Sequence, residues 1–153
     1  MNSATTPSLS PAGAHVTKSE AETELLATAF AHLLNPGTWV GLIGPLGSGK
    51  SVFARAVGRA WGVEAAMPSP TYTLMNCLVG RCPIYHMDLY RIESADELDF
   101  AGLTPYFSLS GICLVEWAEK AHSLWPATGW TVTFDQLDEY SRRIEIASFR
   151  NHS

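Results

Sequence analysis

A glycine-rich octapeptide near the middle of the chain constrains the fold more than any other feature. Residues 44–51 read GPLGSGKS, which matches the pattern G-x-x-x-x-G-K-[S/T] of the phosphate-binding loop of nucleotide triphosphatases. That loop requires a strand before it and a helix after it. Residues 39–43 form a short apolar run typical of a buried strand, and residues 52–61 have the composition of a helix. The sequence therefore predicts a strand, a phosphate-binding loop and a helix in this order.

Each part of the loop has its own predicted role toward a phosphate. The glycines let the backbone turn tightly and direct its N–H groups inward, and the start of the helix adds free N–H groups and the positive end of its dipole. Lys50 is predicted to reach the outer phosphates, and the Ser51 hydroxyl to bind Mg²⁺. The nucleotide-binding positions predicted in the loop are Gly44, Pro45, Leu46, Gly47, Ser48, Gly49, Lys50 and Ser51.

The composition indicates one globular domain. With 153 residues, of which 46% are hydrophobic and 16% charged, the chain is long enough to bury a core and too apolar to be disordered. Its net charge of −5 argues against direct, salt-driven binding of nucleic acid, which needs a basic face. We predict a disordered tail over residues 1–14 and a single domain over residues 15–150.

The lack of a recognisable targeting signal and the cysteine usage favour the cytoplasm. No apolar stretch approaches the roughly 20 residues of a membrane span, so no membrane partner is expected. The first 13 residues lack the basic and apolar regions of a secretory signal. Cys77, Cys82 and Cys113 are odd in number and lack a C-x-x-C pair. We expect buried thiols in a reducing compartment.

Periodicity and turn signals predict alternating strands and helices. Ser19 with Glu22, and Ser94 with Glu97, have the spacing of capping boxes that open two helices. The other predicted elements are strands at 15–17, 72–79, 82–89, 112–115, 130–134 and 143–149 and helical segments at 103–109 and 118–124. We therefore predict an α/β fold, a three-layer sandwich like that of P-loop nucleotide triphosphatases, with a mixed, mainly parallel central sheet and an antiparallel hairpin. The nucleotide should lie at the carboxyl ends of the central strands.

Hydrolysis needs a carboxylate to complete the Mg²⁺ shell, and two predicted strands each end in a carboxylate residue. Residues 84–88 end in Asp88, and the more apolar residues 112–116 end in Glu116. Each of the two carboxylates could be a direct metal ligand, a ligand through water or a base. The alternative for Asp88 is a turn cap or an ion pair with Arg91.

Three further residues have both a functional and a structural interpretation. Thr71, in the segment SPT at 69–71, could sense the γ-phosphate through Mg²⁺, although turn chemistry explains the segment equally well. His86 would share a strand face with Asp88, or simply pack there. Trp117 adjoins Glu116 and either stacks near the nucleotide or is structural.

Taken together, these residues resemble the TsaE family (also called YjeE), small P-loop ATPases of bacterial tRNA threonylcarbamoyladenosine biosynthesis. The resemblance spans about residues 19–126, roughly 70% of the chain. It rests on the loop at 44–51 and on the segments SPTYTL at 69–74, YHMDLYR at 85–91, ELDFAG at 97–102 and ICLVEW at 112–117.

The resemblance implies ATP as the nucleotide and Mg²⁺ as the metal. It implies that Lys50 and the loop backbone hold the phosphates, and that Ser51 and Glu116 bind Mg²⁺ directly or through water. Asp88 would be the partner carboxylate of the Walker B type.

The resemblance also implies more distant contacts and protein partners. Thr71 would be a switch hydroxyl, Trp117 would lie near the nucleotide, and Glu20 stands where the family contacts the base. The resemblance implies TsaB and TsaD as partners, with tRNA contacted only through their complex, and a role of ATP hydrolysis in resetting that complex between turnovers.

Two departures and two rival functions accompany this resemblance. Pro45 stands where the family usually has Asp or Glu, and Ser51-Val52 where it has Thr-Thr; Ser51 keeps the hydroxyl, whereas Pro45 removes a carboxylate and an N–H. The sequence reveals no arginine finger in cis, so a weak ATPase is predicted. The rivals are a nucleotide-dependent binding switch without intrinsic hydrolysis and a small-molecule P-loop kinase.

Overall fold

The computed structural model describes residues 10–68, 70, 74–107 and 110–151. Its strands are β1 (Gly13–Thr17), β2 (Trp39–Ile43), β3 (Met75–Val79), β4 (Pro83–Asp88), β5 (Ile112–Glu116), β6 (Thr128–Gln136) and β7 (Arg142–Arg150). Its helices are α1 (Glu20–Ala31), α2 (Lys50–Ala60) and α3 (Asp96–Phe100), with 3₁₀ helices at Thr104–Phe107 and Ala118–Leu124.

The described strands form one mixed sheet of seven, in the order β1-β7-β6-β2-β5-β4-β3. β2 runs parallel to both β5 and β6, and β4 runs parallel to β5. β3 and β7 are antiparallel to their neighbours, so the other five strands point the same way. The sheet is thus mainly parallel in direction, as predicted, with antiparallel hairpins at β3–β4 and β6–β7.

The sheet is covered on both faces, which gives the predicted three layers. On one face α1 and α2 pack through Phe30 and Phe53 onto Val40 and Leu114 of the central strands. On the other face the buried side chains come partly from the segments between β4 and β6. They include Trp39, Met87, Leu98, Phe107 and Val115. Alternate residues of β2 and β5 enter opposite cores, because successive strand side chains point to opposite faces.

Several predicted boundaries and helix types need correction. β1 begins at Gly13, so Gly13 and Ala14 pair with β7, whereas the predicted tail extends to residue 14. In the segment predicted as helical at 103–109, Thr104–Phe107 form a 3₁₀ helix, and the segment at 118–124 is also 3₁₀, with Ala121 departing from helical angles at φ −126°. Short 3₁₀ segments are common as connectors between other elements.

Of the three thiols predicted to be buried, only Cys113 is fully buried. Cys113 is buried in the central strand β5, Cys82 is half-buried, and Cys77 is exposed on β3. β3 lies at the edge of the sheet and has a neighbouring strand on one side only. None of the helices within the described ranges combines the length and apolarity that a bilayer span requires.

Candidate functional site

Strand register brings the predicted carboxylates together. Asp88 of β4 lies directly opposite Glu116 of β5, and Glu116 lies opposite Leu42 of β2. Directly opposed residues share a face of the sheet. This face is the one covered by α2, whose first turn carries Lys50 and Ser51. Both carboxylates therefore lie at the carboxyl ends of parallel strands beside the start of α2, as expected for a nucleotide site in an α/β sheet.

The loop between β2 and α2 has the close turns that its glycines allow. Gly47 and Gly49 have φ of +78° and +106°, in the left-handed region that favours glycine. A side chain at Gly44 would meet the carbonyl oxygen of Phe134 at 2.8 Å. No side chain caps the N-terminus of α2 in the described part of the chain, so its first N–H groups are available to an anion.

Lys50 lies almost fully within the site, with 4% of its surface exposed. Its Nζ donates hydrogen bonds to the carbonyl oxygens of Gly44 and Pro45, the latter at 2.9 Å. The ammonium also lies 4.2 Å from the centre of the Trp117 ring. Burial lowers the pKa of Lys50, and the nearby carboxylates, Glu116 first, oppose that shift. An ammonium held against backbone carbonyls and a ring face is pre-positioned for a charged ligand.

The Ser51 hydroxyl is joined to Glu116 and through it to His86. Ser51 Oγ donates to Glu116 Oε1 at 2.8 Å, and Glu116 Oε2 lies 2.6 Å from His86 Nε2. Glu116 is 2% exposed and His86 is fully buried. The predicted metal-binding hydroxyl and one of the two candidate carboxylates are therefore in direct contact.

Asp88 lies beside this chain of contacts and is half-buried. Its Oδ1 accepts the N–H of Tyr90 at 3.0 Å, the turn-capping role considered as its structural alternative. Burial raises the pKa of the Asp88 carboxyl; the Tyr90 N–H opposes the shift, and the neighbouring Glu116 adds to it. The capping bond uses Oδ1 of the carboxylate and does not need Oδ2. Asp88 can therefore cap the turn and also act at the metal.

A cleft of about 580 Å³ opens over these groups. It is lined by the loop, by both carboxylates and by Trp117, and Glu20 lines it from the start of α1. The N-cap predicted for that helix is present, because Ser19 Oγ accepts the N–H of Glu22 at 3.1 Å. Thr71, predicted as the switch hydroxyl, lies outside the described residues.

The turn between β6 and β7 forms one wall of the cleft, which the sequence did not predict. Glu139, Tyr140 and Arg142 line the cleft. Arg142 Nη2 donates to the carbonyl oxygen of Gly47 at 3.2 Å, and Nη1 donates to Asp138, Glu139 and Ser141 carbonyls at 3.1–3.3 Å. Nothing in the local sequence pairs this turn with a loop 95 residues away; only the parallel pairing of β2 with β6 does so.

The donor set fits a magnesium ion. Ser51, Glu116 and Asp88 offer only oxygen atoms, the ligands that Mg²⁺ prefers. The described residues contain no group of three or more His, Cys, Asp or Glu side chains that could enclose a metal. Mg²⁺ is commonly held by one or two carboxylates together with water and substrate phosphates rather than by an all-protein cage, so an open site of this kind suits it.

Comparisons with known proteins agree with the resemblance drawn from the motifs. A family model described as threonylcarbamoyl adenosine biosynthesis protein TsaE matches residues 17–144. The tRNA threonylcarbamoyladenosine biosynthesis protein TsaE of Haemophilus influenzae is 39% identical over 112 residues, covering 72% of this chain and 70% of the relative. The TsaE protein of Treponema pallidum is 32% identical over 132 residues, covering 86% and 98%.

A solved structure confirms the predicted fold class. The crystal structure of Bacillus subtilis YdiB superimposes with a TM-score of 0.71 at 27% identity, covering 90% of this chain and 85% of that one. The family match extends over most of the chain and includes the loop at 44–51 and both carboxylate-bearing strands. The chain belongs to the TsaE family.

Proposed function

We propose that this protein binds Mg²⁺ and ATP, hydrolyses ATP slowly on its own, and supports threonylcarbamoyladenosine modification of tRNA together with TsaB and TsaD. The observation that carries the proposal is the contact of Ser51 with Glu116, beside Lys50, under a cleft of about 580 Å³. The named relatives are tRNA threonylcarbamoyladenosine biosynthesis proteins, which supports the tRNA role.

Phosphate binding would use the loop backbone, the first turn of α2 and Lys50. The loop residues Leu46 and Gly47 are exposed at the mouth of the cleft, and the α2 N-terminus has no side-chain cap among the described residues. Lys50 would exchange its bonds to the Gly44 and Pro45 carbonyls for phosphate oxygens. The Trp117 ring, 4.2 Å from the ammonium, would help to keep it in place.

Ser51, Glu116 and Asp88 would hold Mg²⁺. When bound, Mg²⁺ supplies positive charge where negative charge develops on the transferred phosphoryl group. Asp88 is the more exposed of the two carboxylates and lies at the cleft, so it is the better placed to orient an attacking water.

Slow intrinsic turnover is supported by the state of Arg142. Among the described residues that line the cleft, Lys50 and Arg142 carry the positive side chains. The guanidinium of Arg142 is engaged with four backbone carbonyl oxygens and is therefore a poor arginine finger. Partner proteins would have to supply or organise the missing stabilisation.

The site would act in the cytoplasm as part of a protein complex. The three cysteines are unpaired, as thiols are in a reducing compartment. The net charge of −5 favours contact with tRNA through TsaB and TsaD rather than directly.

A phosphate-release assay tests the proposal. ATP turnover is measured with and without TsaB and TsaD for the native chain and for Lys50→Ala and Glu116→Ala. We expect partner-stimulated turnover to fall about 100-fold or more in both variants, a typical cost of removing a transition-state contact. Lys18→Ala and Glu64→Ala remove exposed side chains of the same types that do not line the cleft and should keep native turnover.

Other outcomes would assign a different function. Nucleotide binding that changes partner affinity without any phosphate release, even with partners, would indicate a binding switch. Phosphate transferred to an added metabolite would indicate a kinase. Normal tRNA modification by the Lys50→Ala protein would rule out a coupled role for ATP.

A further inference from the structure

His86 lies directly behind the candidate metal-binding carboxylate, in the interior of the protein. It is fully buried, and its Nε2 lies 2.6 Å from Glu116 Oε2. His86 on β4 is opposite Leu114 on β5, two positions before Glu116, so the ring and the carboxylate are diagonal neighbours on one face. The contact is therefore built into the register of two central strands.

The other ring nitrogen of His86 identifies the donor in this contact. Nδ1 is buried and has no hydrogen-bond partner among the described residues. A hydrogen on Nε2 donates to the carboxylate and leaves only a lone pair unpaired at Nδ1. The opposite tautomer would bury an unpaired N–H and turn a lone pair toward the carboxylate, which is the costlier arrangement. The ring is thus a donor to Glu116.

The two oxygens of Glu116 have separate partners. Oε2 is held by His86 from the interior, and Oε1 is held by Ser51 at the start of α2. We infer that His86 is a positioning residue that fixes the carboxylate of Glu116 so that its Oε1 side, next to Ser51, is presented to Mg²⁺; this inference rests on the proposed function. Hydrogen bonds to ligating carboxylates commonly tune metal affinity 10- to 100-fold.

If His86 only filled space in the core, the nitrogen at the position of Nε2 would have no role. Substitution by leucine keeps much of the volume and removes the donor. Substitution by glutamine places an amide nitrogen the same number of bonds from Cα as Nε2, whereas asparagine places it at the level of Nδ1, too short to reach Glu116. The three variants His86→Leu, His86→Gln and His86→Asn therefore separate volume, polarity and donor position.

The test measures binding rather than turnover. Calorimetric titration with a non-hydrolysable ATP analogue is run for each variant in excess Mg²⁺ and in EDTA, and the ratio of the two affinities gives the Mg²⁺ dependence. We expect His86→Leu and His86→Asn to lose about 10-fold or more of this dependence while keeping the affinity measured in EDTA. His86→Gln should stay within about 3-fold of the native ratio.

The outcomes separate this inference from the proposed function. A folded His86→Leu or His86→Asn chain with the native Mg²⁺ dependence would overturn the positioning role and leave the proposed function intact. Native nucleotide binding that is indifferent to Mg²⁺ would overturn both. If neither variant folds, ¹⁵N NMR of the native ring decides: hydrogen on Nε2 supports the inference, and hydrogen on Nδ1 overturns it.

Discussion

At the scale of single residues, the site depends on Gly44, where the surrounding atoms leave no room for a side chain. A Cβ at Gly44 would lie 2.8 Å from the Phe134 carbonyl oxygen and 2.8 Å from Ser48 Oγ. The first of these is backbone, so the loop itself would have to move. We expect Gly44→Ala to cost about 1–3 kcal/mol in the free energy of unfolding, measured by urea denaturation, and to weaken nucleotide binding.

Gly102 provides the matched control for this prediction. It has φ +76°, and a Cβ there meets nothing within 4 Å. Gly102→Ala should therefore cost about 1–2 kcal/mol through backbone strain alone, without any change in nucleotide affinity. Equal losses of affinity in the two variants would show that close packing of the loop at Gly44 is irrelevant to binding.

A second residue-scale prediction follows from the raised pKa of Asp88. Burial raises this pKa above the ordinary value of 3.8, so the folded protein disfavours the ionised form. The resulting destabilisation is fully present above the folded pKa and is relieved as the pH falls through that pKa toward 3.8. Asp88→Asn keeps an oxygen acceptor for the Tyr90 N–H and removes the charge.

Asp88→Asn should consequently stabilise the free protein at neutral pH, and the gain should vanish in acid. Thermal unfolding of both proteins from pH 7 down to pH 3 measures it. A gain that persists at pH 3 would mean that ionisation is not its cause. The same variant should impair partner-stimulated ATP turnover, because stability and activity make opposite demands on a carboxylate in such a site.

At the scale of elements, the N-terminus of α1 is held by two side-chain bonds, the second of which goes to Lys18 and not to Ser19 as the predicted capping box requires. Ser19 Oγ accepts the N–H of Glu22 at 3.1 Å, and Glu22 Oε1 accepts the N–H of Lys18 at 2.8 Å. Ser19→Ala should cost about 1 kcal/mol in urea denaturation. Thr28→Ala, on an exposed part of the same helix, should stay within about 0.5 kcal/mol of the native value. A neutral Ser19→Ala would mean that packing alone fixes this helix end.

Elements with a strong local signal could be predicted, and elements set by tertiary contacts could not. The loop at 44–51, the Ser19 cap and the strand ending in Glu116 follow from patterns within a few residues. The capping box at Ser94 is only partly correct, because Ser94 Oγ accepts the N–H of Asp96 at 3.1 Å rather than that of Glu97. α3 is only five residues long, so neighbouring segments decide its geometry more than its own sequence does.

At the scale of the whole molecule, strand order is what the sequence leaves open. The pairing of β1 with β7 and of β2 with β6 joins distant segments, and that order delivers Arg142 to Gly47 and builds one wall of the cleft. No local pattern encodes such a pairing. The positions of Asp88 and Glu116 could be predicted without the strand order, because the carboxyl ends of parallel strands lie along the same edge of a sheet in any order.

The same topology makes Cys113 a reporter of global unfolding. It lies on β5 between β2 and β4 and is 1% exposed, and burial raises its pKa far above the ordinary range. Both effects suppress reaction with a thiol reagent. In a Cys77→Ser, Cys82→Ser chain, Cys113 should be modified only as the whole sheet opens. The rate of modification then measures the population of the unfolded state when reclosing is fast.

This reporter links stability to the proposed ligand. A ligand that binds only the folded chain stabilises it by about 2.7 kcal/mol at 100 times its dissociation constant, so Mg²⁺ and ATP at that level should slow modification of Cys113 about 100-fold. A Cys82→Ser, Cys113→Ser chain, whose remaining thiol is the exposed Cys77, is the control, and its labelling should be immediate and indifferent to ATP. Rapid labelling of Cys113 in native buffer would show that β5 opens without the rest of the sheet. Because β5 also carries Glu116, such opening would expose the carboxylate on which the site depends.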